Sequence, residues 1–145
     1  MSRTIIVGVD GSTASAVALR WAVEHAVTEH RTVTAVEVRV PVRLGPGTSY
    51  APAPYGLVPP PERVGSALHR TVAEVREAVP NAPKIAEIQL RGEPGTELAR
   101  IAHDADMLVL GHNPHGRAAE FLFGHVTGEC LRHAGVPVVL VPVRP

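Results

Sequence analysis

The sequence predicts an α/β fold: a doubly wound sheet of about five parallel strands with four helices on both faces. Three observations carry this. Short apolar, β-branched runs recur along the chain. Between them apolar residues fall at helical spacing. The joints are mostly brief, so strand and helix alternate as in parallel βαβ units.

The elements follow in order. The run "TIIVGV", Thr4 to Val9, reads as a strand buried on both faces. In the "DGS" that follows, Ser12 is placed to cap a helix. Val17, Ala18, Trp21, Ala22, Ala26 and Val27 mark the apolar face of that first helix. "TVTAVEVRV", from Thr32, is the second strand. Residues 41–61 then lose all periodicity and hold seven of the 14 prolines, which reads as a long flap or surface loop. The second helix starts near Pro61 or Glu62, since proline suits a first turn. Val64, Leu68, Val72, Val75 and Val79 form its face. "KIAEIQL" alternates as a third strand. Pro94 opens a third helix with Leu98, Ile101, Ala102 and Ala105 inward. "MLVLG" is the fourth strand, and a fourth helix is expected over about 117–133. "GVPVVLVPV" is the fifth strand, whose Pro137 and Pro142 suit a sheet edge.

Composition narrows the function classes. The 145 residues suffice for one domain, 1–145, with a core of its own. Net charge is zero, so no basic excess exists to hold a phosphate backbone, and nucleic acid is not an expected partner. Aromatic residues make up only 3%, too few for a base-stacking surface. A single cysteine, Cys130, rules out a disulfide within the chain and suits a cytoplasmic setting. No signal peptide and no bilayer-spanning run are seen, so no membrane association is expected.

In a doubly wound sheet, ligands sit beyond the carboxyl ends of the strands where the strand order reverses. That puts Asp10 and Gly111, at the tips of strands one and four, beside one crevice. The first joint, "GVDGS", lacks the GxGxxG phosphate loop. Asp10 there would repel a phosphate. It suits a sugar hydroxyl or a cation, or it shapes the turn and caps the helix. The second joint, "LVLGHNPHGRAAEFLFGHVTGE", has the strand, loop and helix order of a backbone cradle for phosphate, with Gly111, Gly116 and Gly124 on its path. The helix proper is expected to begin near Gly124, because glycine costs roughly 1 kcal/mol inside one. His112 and His115, with His125 and Glu129 beyond, raise a metal reading, but the set lacks the ordered ligands zinc requires and no metal is expected. No nucleophile–base pair is apparent, so no catalytic residue is assigned.

Three stretches, "IIVGVDGS", "RGEPGTELARIAHDADMLVLG" and "FGHVTGECLRHAGVPVVLVP", together resemble the universal stress protein family of the UspA type over nearly the whole chain. The resemblance implies strand order 3-2-1-4-5, an adenine nucleotide alpha hydrolase-like arrangement. It also implies a stress-response or regulatory role and a homodimer joined through the C-terminal strand, between Val136 and Val143, with a regulatory protein partner not identified. Members divide into branches that bind nucleotide and branches that do not. The binding branch carries G-x-x-G-x9-G-S/T and takes ATP or another adenine nucleotide. Here the motif's positions fall on Gly111, Pro114, Gly124 and His125.

By the same resemblance Asp10 meets the ribose region and the main chain of Val38 meets adenine. Gly111, Gly124, Val126 and Thr127 meet phosphate. Pro114 and His125 are altered positions and inherit no role, while His112, His115 and Gly116 are the loop residues placed to compensate. Proline has no N–H, and a hydrogen bond to a charged group is worth roughly 1.5–3 kcal/mol. The expectation is therefore weak or lost ATP binding. The alternative is a functional ATP-binding protein with slow hydrolysis.

Overall fold

The computed structural model describes residues 3–40, 61–113 and 123–144. Five parallel strands form one sheet in the order β3-β2-β1-β4-β5. The strands are β1 (Thr4–Gly8), β2 (Thr32–Arg39), β3 (Ile85–Arg91), β4 (Met107–His112) and β5 (Val138–Pro142). The helices are α1 (Thr13–Glu29), α2 (Pro61–Ala78), α3 (Pro94–Ala102) and α4 (Gly128–His133). A π-helical turn, Phe123–Thr127, runs directly into α4.

Each element has a local cause. The hydroxyl of Ser12 accepts from the N–H of Ser15 and caps α1, as expected. At the other end His30 turns left-handed, at φ 55°, and the Arg31 N–H closes on the Ala26 carbonyl at 3.0 Å. β1 is central, and Ile5 and Val7 are wholly excluded from water. Each such side chain contributes about 1.5–3 kcal/mol by burial. Pairing of β1 with β2 runs from Thr4↔Thr32 to Gly8↔Val36, and with β4 from Ile5↔Met107 to Val7↔Val109.

Alternation of side chains along the strands divides the core in two. Val7, Val33 and Ala35 pack with Leu19, Val23 and Val72, on the face covered by α1 and α2. Ile6, Val36 and Leu108 pack with Leu98, Ala102 and Cys130, under α3 and α4. At the sheet's amino end, Arg31 pairs with Asp106 and reaches Glu29 at 3.5 Å. That contact ties the α1–β2 corner to the α3–β4 corner. Among the described residues no helix is long and apolar enough to cross a membrane.

The fourth helix differs from expectation. Among the described residues, Phe123–Thr127, around Gly124, is a π-helical turn, and α geometry follows from Gly128. Residues 117–122 of the expected helix, and residues 41–60 of the Pro-rich loop, lie outside the described residues. Helix α3 also stops at Ala102, and Ala105 belongs to the turn after it, its N–H reaching the Ala102 carbonyl at 2.9 Å.

Candidate functional site

The strand order reverses between β1 and β4. β1 continues through α1 to β2 on one side, and β4 is followed by β5 on the other. In doubly wound sheets a ligand crevice is expected at such a reversal, beyond the carboxyl ends of the two strands. Asp10 is exposed there, and its Oδ1 accepts from the N–H of Ser12 at 2.9 Å. Gly11 follows at φ 85°, a conformation side chains rarely tolerate. The turn is thus built by Asp10, Gly11 and Ser12 together. The second carboxylate oxygen of Asp10 has no role in that bond.

The register of β2 places Val38. The Val9 N–H donates to the Val36 carbonyl at 2.8 Å, and the Gly92 N–H donates to the Arg39 carbonyl at 2.9 Å. Successive residues of a strand direct their backbone groups to opposite edges. Val38 therefore faces the same edge as Val36, toward β1, but beyond the point where β1 has turned away. Its N–H and carbonyl face the β1 side of the strand, past the last β1 partner.

Gly111 has a structural duty. A Cβ built on it would lie 2.2 Å from the carbonyl oxygen of Ala14 and 2.4 Å from its carbon. Glycine is what lets the first turn of α1 rest on the tip of β4. The two walls of the crevice therefore touch at Gly111 and Ala14. His112, the next residue, ends β4 and accepts from the Val143 N–H at 2.8 Å through its carbonyl.

Across the second joint, Pro114, His115 and Gly116 lie outside the described residues. Gly124 lies within the π turn, Val126 is half-buried and Thr127 is buried. His125 is exposed, and its Nε2 stands 2.8 Å from Oε1 of Glu93. Glu93 is the N-cap residue of α3, yet its side chain makes no capping bond to its own helix. The approach of the two elements is set at Gly95, where an added Cβ would meet Glu129 Cβ at 2.3 Å and the Val126 carbonyl at 3.1 Å.

Residues 1–142 match the Universal stress protein family. The chain belongs to the universal stress protein family. A universal stress protein of Mycobacterium tuberculosis is 31% identical over 142 residues, which cover 96% of this chain and 48% of that protein. The chain spans about half the length of the curated relatives it matches. Among solved structures, a universal stress protein in complex with cAMP superposes with TM-score 0.67 at 22% identity, over 97% of both chains. The universal stress protein of Archaeoglobus fulgidus in complex with dAMP gives TM-score 0.64 at 19% identity, over 97% of this chain and 98% of that one. The five-stranded order of this universal stress protein domain is that of the fold expected from the sequence.

Two features were not found by sequence reasoning. Glu93 is one, 32 residues from His125 in the chain. Its only sequence signal is an acid beside Pro94 where a helix begins. The other is a groove of about 350 Å³ between the first turn of α1 and α2, with Arg70 and Glu74 facing Ser12 and Thr13 across it.

Proposed function

We propose that this chain is a regulatory binding module of the stress response, acting in the cytoplasm as a homodimer and without a catalytic cycle of its own. Its crevice takes an adenine nucleotide through Asp10, the Val38 backbone, Gly111 and the Gly124–Thr127 turn, with weakened affinity for ATP. The observation that carries the reading is the engagement of His125 with Glu93 at 2.8 Å. The motif position that carries a small hydroxyl in the binding branch here holds an imidazole turned to a carboxylate. Pro114 brings no N–H to the same loop. Relatives of this fold with bound cAMP and dAMP support an adenine nucleotide as the ligand class.

The buried Thr127 and the Val38 backbone, past the last β1 partner, favour a second reading, a functional ATP binder with slow hydrolysis. Calorimetric titration with ATP, ADP and AMP, with and without magnesium, separates the two. The first reading expects ATP to bind more weakly than the low micromolar range. Micromolar ATP binding by the native chain overturns the first.

The dimer is proposed to form at the open edge of β5. The Leu108 N–H donates to the Pro137 carbonyl and the Val143 N–H to the His112 carbonyl, at 2.9 and 2.8 Å. Odd-numbered residues of β5 therefore face β4, and Val138, Leu140 and Pro142 face outward. An unpaired edge of this kind is a template for a second strand.

A further inference from the structure

We propose that Glu93, held by His125, is a charge gate that sets how many phosphate groups the crevice accepts. It admits adenine nucleosides and nucleotides with a single phosphate and disfavours di- and triphosphates. The proposal rests on the reading of the crevice as an adenine-nucleotide site and adds the selectivity of that site.

A carboxylate at a helix N-cap is ordinarily drawn to the free N–H groups of its own first turn. Glu93 forgoes that bond and turns to His125 in the π turn, at 2.8 Å. The two elements cannot drift apart at little cost, because Gly95 lets α3 sit directly against Val126 and Glu129. Neighbouring carboxylates have arginine partners: Glu97 meets Arg100 at 2.7 Å and Glu129 meets Arg132 at 2.8 Å. The partner of Glu93 is an imidazole rather than a guanidinium. In this proposal the carboxylate stands beside the π turn, at the place assigned to the phosphate chain.

One phosphate ester brings about 1.5 to 2 negative charges. Each further phosphate adds charge and extends it toward the turn. Like charges brought together at a binding site suppress the wrong ligand more than they alter the right one. Both side chains are about half exposed, which moderates the penalty and makes about tenfold the fitting scale.

The test is calorimetric titration of adenosine, AMP and ATP into the native chain and into Glu93→Gln and His125→Ser, near pH 7.5. The native chain is expected to bind AMP about tenfold or more tighter than ATP. That ratio is expected to fall about tenfold in Glu93→Gln, and to fall also in His125→Ser, where Glu93 is freed to cap α3. Both positions are exposed, so both variants should fold, as a thermal melt will verify. A native ATP affinity equal to that for AMP overturns the gate alone. So does a ratio unchanged in folded Glu93→Gln. Absence of binding by all three ligands overturns the adenine-nucleotide reading and the gate together.

Discussion

Gly111 shows how a motif residue can answer to packing. The clash predicted for its Cβ is with backbone, the Ala14 carbonyl at 2.2 Å, so relief needs movement of α1 rather than a rotamer change. Gly111→Ala is therefore expected to lose roughly 3 kcal/mol in urea unfolding. Gly128→Ala is the control, since nothing lies within 4 Å of the added carbon and the residue is helical. It should be neutral or gain up to ~1 kcal/mol. Equal losses at the two positions would remove the packing explanation. Cys130 gives a prediction in pH. Burial, and then the charge of Glu129, raise its thiol from 9.0 to about 11. The folded chain keeps this proton up to about 11, while the unfolded chain releases it near 9.0. Between those values the unfolded state holds fewer protons, so stability falls as pH rises; below about 9 the residue has no such effect. The loss should reach roughly 2–3 kcal/mol near pH 11. Urea melts from pH 8 to 11 should show a shallower decline in Cys130→Ala, and parallel declines would refute the assignment. At this scale Ser12 was legible because a cap acts over three residues. The Glu93–His125 contact was not, because tertiary packing at Gly95 brings the two together.

Among the elements, β5 carries the clearest consequence. Pro137 uses only its carbonyl toward β4, and Pro142 sits where its missing N–H would have faced the open edge. The two prolines expected to mark an edge strand thus fit without breaking the β4–β5 ladder. Val138 and Leu140 still direct N–H groups outward. Leu140→Pro removes one of them and leaves the inward ladder intact. Light scattering should report a folded monomer, or a dimer weakened at least about tenfold for one lost hydrogen bond and its side chain. A dimer of unchanged strength in a folded variant would move the interface elsewhere. The strands and the first three helices were legible because period and turn chemistry agree in each. The π turn was not. Its extra residue per turn leaves no periodic mark in five residues, and Gly124 signalled only that a helix would not run through unbroken.

For the whole molecule, alternation of strands and helices was enough to predict the doubly wound sheet, and the reversal between β1 and β4 follows from the order 3-2-1-4-5. The switch point between β1 and β4 was legible for the same reason. The side-chain contacts around it were legible only in part. Asp10, Val38 and Gly111 stand around the switch point, and register shows why Val38 offers its backbone there. The Glu93–His125 contact joins two elements 32 residues apart, which no local pattern encodes. The central claim is that this crevice keeps its adenine side and has an impaired polyphosphate side. Calorimetric titration of ATP into the native chain and into Pro114→Gly with His125→Ser tests it most directly. Restoring a backbone donor and a small hydroxyl should tighten ATP binding about ten- to a hundredfold over a weak native affinity. Micromolar ATP binding by the native chain, or no gain in the folded double variant, would contradict it.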